Sequence, residues 1–163
     1  MASFDRVYRQ AVTEASSTAK HTIGTTMVDR DTGDEYVYVL HNAGSGTAAL
    51  GVPCGLYNGG VNGAYVANTV TSDISNAHDA VVFGTYMGAV TDAYYCWVKR
   101  VVKGKECDAV AVADTAELAS GSRLKWSADN GLTVDTGATL ELTQAKAIES
   151  DGAGLDTVAV QWF

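Results

Sequence analysis

The chain has 163 residues, of which 47% are hydrophobic and 18% charged, and its formal net charge is −8. This length predicts one domain, the apolar fraction excludes an intrinsically disordered chain, and the acidic balance excludes general nucleic-acid binding. Seventeen glycines beside a single proline, with abundant Val, Thr and Tyr, favour short β-strands joined by glycine turns.

The beginning of the chain differs from the rest, and we predict an N-terminal arm or short helix over residues 1–22. Phe4, Val7, Tyr8 and Val12 fall at helical spacing behind a serine that can cap a helix. Two interpretations stay open. The segment either packs as a helix on its own domain or reaches a neighbouring subunit as an arm, and in the second case Phe4, Val7 and Tyr8 are interface residues.

Residues 23–163 predict a single all-β domain, folded as a compact antiparallel β-barrel or sandwich. Most candidate strands start about 8 to 16 residues apart and are joined by glycine-bearing connections. Such spacing favours a sandwich or barrel over alternating βαβ units. The candidate strands cover residues 35–40, 48–52, 64–70, 80–86, 94–102, 107–113, 123–127, 132–134, 145–149 and 156–162.

One hairpin, within residues 124–134, can be placed in register from its apolar pattern. A two-residue Asn-Gly turn would mix apolar and polar residues on each face. A three-residue loop over residues 129–131, with Gly131 in the left-handed region, instead pairs Trp126 with Val134. We favour this register, because the apolar residues then share one buried face. That face consists of Leu124, Trp126, Leu132 and Val134.

The residues that carry catalysis or bind metals form no recognisable pattern, and we predict no catalytic, cofactor or metal site. His21, His41 and His78 belong to no metal or hydrolase motif, and we interpret all three as loop or surface residues. The acidic turn over residues 29–35 invites a calcium interpretation. It lacks the glycine and the glutamate that an EF-hand loop requires, so we interpret it as a solvated turn.

The cysteine spacing and the absence of targeting patterns bear on the compartment. Cys54, Cys96 and Cys107 match neither a disulfide framework nor a zinc ligand pair, which favours reduced thiols in a cytoplasm. No stretch approaches the roughly 18 apolar residues of a membrane span. The first residues do not follow the pattern of a secretory signal. We therefore expect a soluble protein without a membrane partner.

Tyrosines are the best candidates for contacts with a partner, because the ring buries area while the hydroxyl forms a hydrogen bond. Tyr57 lies in a glycine-rich loop, residues 55–63, that either meets a ligand or partner or serves as a plain connection. Tyr94 and Tyr95 are adjacent in a predicted strand, so they cannot both enter the same core. We therefore take Tyr57, Tyr94 and Tyr95 as candidate interface residues.

The C-terminal part of the chain carries a family resemblance. Residues 95–104 form a strand-then-glycine element, and residues 118–126 contain a glycine turn that leads into an apolar and aromatic strand. A hairpin tip at residues 129–131 and a closing strand pair at residues 145–149 and 158–162 follow. This pattern resembles the small β-barrel proteins that decorate or cement tailed-bacteriophage capsids.

The resemblance implies a structural virion protein that binds the outside of an assembled capsid and stabilises the shell. It implies the major capsid protein as partner, self-association as a homotrimer, synthesis in the host cytoplasm and no catalytic activity. One alternative is a receptor- or glycan-binding module of a phage tail or head fibre, motivated by the Tyr57 loop. Another is a polysaccharide-degrading enzyme whose carboxylates would come from Asp73, Asp79 and Asp92.

Overall fold

The computed structural model describes residues 11–42, 46–59, 66–77, 81–112, 118–127, 131–136, 144–148 and 155–163. Within these residues the chain is all-β, which confirms the predicted fold class. The helical spacing of Phe4, Val7 and Tyr8 lies outside the described residues, and the described residues 11–22 contain no helix. No helix in the described part of the chain is long and apolar enough to cross a bilayer.

Thirteen strands and a short 3-10 helix, Ile74–Asn76, make up the regular structure of the described residues. The strands are β1 (Thr26–Val28), β2 (Glu35–His41), β3 (Thr47–Ala48), β4 (Pro53–Leu56), β5 (Thr69–Thr71), β6 (Gly84–Tyr86), β7 (Val90–Thr91), β8 (Tyr95–Arg100), β9 (Glu106–Val112), β10 (Arg123–Ser127), β11 (Gly131–Val134), β12 (Ala145–Ala147) and β13 (Leu155–Trp162).

Five strands within residues 35–100 close into a ring, which we call the first barrel. Strand β2 pairs with β5, β5 with β4, β4 with β6, β6 with β8, and β8 pairs back with β2. The β2–β5 pair is parallel and the other four pairs are antiparallel. Strand β1 pairs with the first residues of β2. The short β3–β7 pair links the connection between β2 and β4 to the connection between β6 and β8.

The last five strands form a second closed barrel in the order β10-β11-β9-β13-β12. Its β9–β11 pair is parallel and its other pairs are antiparallel. The predicted antiparallel architecture therefore holds except for one parallel pair in each barrel. In each barrel the parallel pair forms because the third strand lies beside the first. The residue pattern along one strand does not indicate which strand becomes its neighbour.

The two barrels have the same topology. When the strands of each ring are numbered in chain order, the first pairs in parallel with the third, the third with the second, the second with the fourth, the fourth with the fifth, and the fifth with the first. The chain thus contains two successive five-stranded barrels of the same topology. Residues 95–163, which carry the family resemblance, cross the boundary between the barrels, because Tyr95–Arg100 closes the first one.

Each barrel has its own core, and a packed junction connects the two. Inward-facing residues of the first barrel include Val39, Cys54 and Val98, and the second barrel encloses an apolar core of its own. Ala77 and Val82, from the connection between β5 and β6, belong to the core of the second barrel. That set also includes Leu124, Trp126, Leu132, Val160 and Trp162.

The predicted hairpin is correct in its faces and wrong in its register. Leu124, Trp126 and Leu132 are buried and Val134 is half-buried, all in or against one core. Trp126 pairs with Leu132 rather than with Val134, so Gly131 lies in β11 and residues 128–130, which lie outside the described residues, connect the two strands. A shift of two residues leaves every side chain on its face, because strand side chains alternate with period two. The apolar pattern therefore could not choose between these registers.

Two other predicted strands are shorter or displaced. The prediction over residues 48–52 is wrong, because Gly51 adopts a φ of 78° in a turn between β3 and β4. The prediction over residues 64–70 extends too far toward the N-terminus, since Asn68 adopts a φ of 55° immediately before β5. Asparagine tolerates this left-handed conformation better than most residues, and it breaks the extended backbone there.

Candidate interaction surface

The N-terminal segment, residues 11–25, lies across the outer face of β2 and β8 of the first barrel. Ser16 and Tyr95 exchange two backbone hydrogen bonds, from Ser16 N to Tyr95 O at 2.9 Å and from Tyr95 N to Ser16 O at 2.8 Å. The Lys20 amide donates to Tyr38 Oη at 3.0 Å. The described part of the predicted arm is therefore held by the chain's own first barrel, while the boundary at residue 22 stays a prediction.

An aromatic cluster joins this segment to the barrel, with His21 from the segment and Tyr38, Tyr95 and Trp97 from β2 and β8. Tyr38 lies 5.1 Å from Trp97 and stacks on Tyr95 at 6.2 Å between ring centroids. His21 contacts Tyr38 edge-on at 5.1 Å and Trp97 at 5.3 Å. Aromatic pairs at these separations stabilise by about 0.5–1.5 kcal/mol beyond the area that they bury. Half-buried Tyr95 therefore anchors the N-terminal segment to the barrel in the isolated chain.

Tyr94, the neighbour of Tyr95, packs on the opposite face of the same strand region. It lies against the core of the first barrel, whereas Tyr95 lies against the outer aromatic cluster. This arrangement is the one that the alternation of strand side chains predicts. The Tyr94 carbonyl also accepts a hydrogen bond from the His41 amide at 2.8 Å. Both tyrosines are half-buried, and their roles at an interface stay predictions.

His41, which the sequence predicts as a loop or surface residue, is instead buried in the first barrel. It is completely buried at the end of β2, and its Nδ1 lies 2.6 Å from Tyr86 Oη. Burial lowers the pKa of His41, while a backbone hydrogen bond with Gly46 and the charge of Asp92 act in the opposite direction. Burial likewise raises the pKa of Tyr86 well above its ordinary value. The pair is therefore neutral, and it ties β2 to β6 inside the barrel.

Of the three carboxylates considered for an enzymatic role, Asp73 has a local structural function. Asp73 accepts hydrogen bonds from the Ser75 amide at 2.8 Å and the Asn76 amide group at 2.8 Å, and so caps the 3-10 helix. Asp92 lies near His41, and Asp79 lies outside the described residues. Among the described residues, no group of three or more His, Cys, Asp or Glu side chains could hold a metal ion.

The acidic turn between β1 and β2 is held by lysines of the first barrel and of the connection between barrels. Lys99 Nζ lies 2.8 Å from Asp34 Oδ2, and Lys105 Nζ donates to the Gly33 carbonyl at 2.6 Å. Burial raises the pKa of Asp34, but the hydrogen bonds from Lys99 and Thr32 outweigh it and the net pKa is lowered. The turn is therefore in contact with β8 and with the residues that precede β9.

Tyr57 is the first residue of the connection between β4 and β5, residues 57–68, of which 60–65 lie outside the described residues. Its amide donates to the Thr69 carbonyl at 2.9 Å, and its carbonyl accepts from the Val66 amide at 2.7 Å. Tyr57 also bridges Ala77, and the Asn58 amide donates to the Asn76 carbonyl at 2.9 Å. The first residues of this connection are thus hydrogen-bonded both to the residues around the start of β5 and to the 3-10 helix, and Tyr57 is half-buried.

Tyr57 follows the end of β4, whereas Tyr94 and Tyr95 stand at the start of β8. Leu40 of β2 pairs with both Tyr95 and Thr69, and the Tyr57 amide donates to the Thr69 carbonyl, so β2 and β5 lie between Tyr95 and Tyr57. The interface roles of the three tyrosines stay predictions. Phe4, Val7 and Tyr8, the other predicted interface residues, lie outside the described residues.

No protein-family model matches the chain, and no curated protein sequence matches it significantly. The fold is similar to that of a solved structure. This structure is the N base of the head fibre protein gp8.5 in bacteriophage phi29, with a TM-score of 0.54 and 11% sequence identity. The similarity covers 78% of this chain and 94% of the phi29 chain. At this identity the likeness concerns the fold.

Proposed function

We propose that the protein is a structural component of a phage virion that binds the outside of the assembled capsid and stabilises the shell. The observation that carries this proposal is the fold likeness, which spans 94% of the phi29 head fibre N base. The C-terminal turn and strand pattern, which resembles capsid decoration proteins, supports the same class of protein. In this role the protein needs no catalytic group.

The proposed mechanism is selective binding to the assembled lattice. A protein that binds the assembled shell more tightly than free subunits stabilises the shell by mass action, by about 2.7 kcal/mol per site when its concentration is 100 times its dissociation constant. The partner is the major capsid protein. The protein itself acts as a homotrimer, in which Phe4, Val7 and Tyr8 of the N-terminal arm contribute contact area. The acidic net charge of −8 disfavours capture by packaged DNA or host RNA.

A head-fibre module that binds a receptor or glycan is the second candidate. Two observations favour it: the phi29 protein of similar fold is named as a head fibre, and Tyr57 begins a connection whose sequence is rich in Gly and Asn. Both candidates are proteins of the virion exterior, and they differ in whether binding stabilises the shell.

Co-sedimentation with undecorated capsids of the cognate phage tests the proposal. We expect saturable binding and a higher temperature of capsid disruption in the decorated particles. Binding without any gain in capsid stability, together with a specific signal on a glycan array that Tyr57→Ala abolishes and Tyr57→Phe retains, would favour the fibre module. Absence of co-sedimentation at protein concentrations up to about 100 μM, where a site with a binding free energy of about −5.5 kcal/mol is half-filled, would refute both.

A further inference from the structure

The turn between β7 and β8, residues 92–94, is held closed by the main chain of His41. The Ala93 amide donates to the His41 carbonyl at 2.9 Å, and the His41 amide donates to the Tyr94 carbonyl at 2.8 Å. Within the turn, the Tyr94 amide donates to the Thr91 carbonyl at 3.1 Å. Both main-chain polar groups of His41 thus bind this turn, which leads directly into β8.

The same turn carries backbone strain. Ala93 adopts a φ of 62°, a left-handed conformation that residues other than glycine rarely adopt. Such conformations persist only where the surrounding contacts impose them, and they occur preferentially in segments that switch between two states. Ala93 is exposed, so burial of its side chain does not offset the strain. The hydrogen bonds with His41 therefore oppose the strain and keep the turn closed.

The side chain of His41 is a titratable group inside the barrel. It is completely buried, and its Nδ1 lies 2.6 Å from Tyr86 Oη of β6. Because burial raises the pKa of Tyr86, the hydroxyl keeps its proton and donates it to Nδ1 of the neutral ring. An imidazolium carries a proton on both nitrogens, so Nδ1 then accepts no hydrogen bond and the Tyr86 proton needs another acceptor. Protonation of His41 therefore breaks the contact that holds its ring in the barrel.

The groups that face His41 give little support to a charge on its ring. The charge of Asp92, in the turn, and a backbone hydrogen bond with Gly46 favour protonation, but burial outweighs both and the pKa of His41 is lowered. Strand β5, which pairs with His41 at Val70, contributes no titratable side chain. The other titratable groups around the pair, from β4, β6 and β8, stay neutral because burial raises their pKa values. They are Cys54, Tyr86 and Cys96.

We infer that His41 and the β7–β8 turn form an acid-sensitive latch, in which the neutral imidazole keeps the turn closed and its protonation releases the turn. This latch does not depend on the proposed binding to capsids. Tyr95, which follows the turn, exchanges two hydrogen bonds with Ser16, so opening of the latch also loosens the N-terminal segment.

The pH range of the latch follows from where the proton binds. In the open state His41 takes up the proton with its ordinary pKa of 6.5, whereas in the closed state its pKa is lower. Protons therefore bind preferentially to the open state below about pH 6.5, and the closed state is most stable above that pH. Between about pH 7.5 and pH 5.5 a single such group shifts the equilibrium toward the open state by at most about tenfold.

Hydrogen exchange of single backbone amides, followed by NMR spectroscopy and corrected for the intrinsic pH dependence of exchange, tests the latch in the unmodified protein. The amides of His41 and Ala93 report its opening, whereas the amide of Val98, within β8, reports unfolding of the barrel. We expect His41 and Ala93 to be less protected than Val98, and to lose about three- to tenfold in protection between about pH 7.5 and pH 5.5. Equal protection of the three amides, or protection at Ala93 that does not change with pH, would overturn the latch.

Two substitutions separate the proton from the strain. His41→Gln removes the titrating group, and we expect the pH-dependent change in protection at Ala93 to fall below about twofold. Ala93→Val keeps the titrating group but places a β-branched side chain at a left-handed residue, so it should lower the protection of the His41 amide at least about fivefold at both pH values and leave the ratio between them unchanged.

The two variants also define the results that contradict the latch. A wild-type pH dependence in His41→Gln would show that another group takes up the proton. Wild-type protection in Ala93→Val would show that the turn is not the part that opens. If His41→Gln does not fold, an NMR titration of the His41 ring in the unmodified protein replaces it, and a native pKa at or above about 6.5 would overturn the latch.

Discussion

The junction between the barrels predicts a large effect for the smallest possible substitution, Gly55→Ala in β4. A Cβ at Gly55 would lie 2.8 Å from Ala77 Cβ, from Trp126 Cζ3 and from the Val81 carbonyl oxygen. Carbon atoms pack at about 3.5–4.0 Å, so the new methyl group is too close to both carbons by about 0.7–1.2 Å. Strand β4 cannot retreat freely, because Gly55 is paired with Thr71 of β5.

Overpacking of this kind costs about 1–3 kcal/mol of unfolding free energy. For a chain of this size each kcal/mol lowers the melting temperature by about 2–4 °C, so we expect Gly55→Ala to lower it by about 2–12 °C. Without the clash, replacing a strand glycine by alanine would stabilise by about 0.5–1 kcal/mol. The sign of the change therefore tests the packing. Thermal and urea unfolding measure it, and a melting temperature that is unchanged or higher refutes the reasoning.

A double-mutant cycle with Trp126→Phe provides the control for this prediction. Phenylalanine removes the indole ring atoms that a Cβ at Gly55 would meet, although the substitution is itself destabilising. We expect Gly55→Ala to cost at least about 0.5 kcal/mol less in the Trp126→Phe background than in the wild type. Strict additivity of the two substitutions would show that the tryptophan does not limit the space at Gly55.

Three further predictions concern the first barrel. Because folding lowers the pKa of His41, the unfolded chain binds the proton first, and the free energy of unfolding should fall as pH drops below about 6.5. Urea titrations at pH 7.5 and 5.5 should show this loss, and a variant with His41→Gln that retained the full slope would contradict the assignment. Tyr86→Phe should lower the free energy of unfolding by about 1–3 kcal/mol at neutral pH, because it leaves the buried Nδ1 of His41 without its hydroxyl partner. An unchanged urea midpoint would argue against that hydrogen bond. Gly88→Ala should release the N-terminal segment, because the new Cβ would collide with the Thr13 carbonyl oxygen. We therefore expect faster hydrogen exchange at the Ser16 amide than in the wild type, and an unchanged exchange rate would refute this contact.

Local patterns in the sequence were sufficient for the class of the fold and for which way its strand residues face. Alternation predicted that Tyr94 and Tyr95 lie on opposite faces and that Trp126 and Leu132 share one, and both are correct. These properties follow from the two-residue repeat of an extended chain, which any short segment carries by itself. The same repeat explains the error in the hairpin, since registers that differ by two residues expose the same faces.

Other features were settled only when distant segments met. The burial of His41 depends on Tyr86, 45 residues away, and on the connections that cover the end of the barrel. The crowding of Gly55 depends on Trp126 from the other barrel. Closure into two rings with the same strand order is likewise a relation between strands. The sequence determined how each strand presents its residues, and the tertiary structure decided which strands became neighbours, because pairing partners are selected by packing over the whole chain.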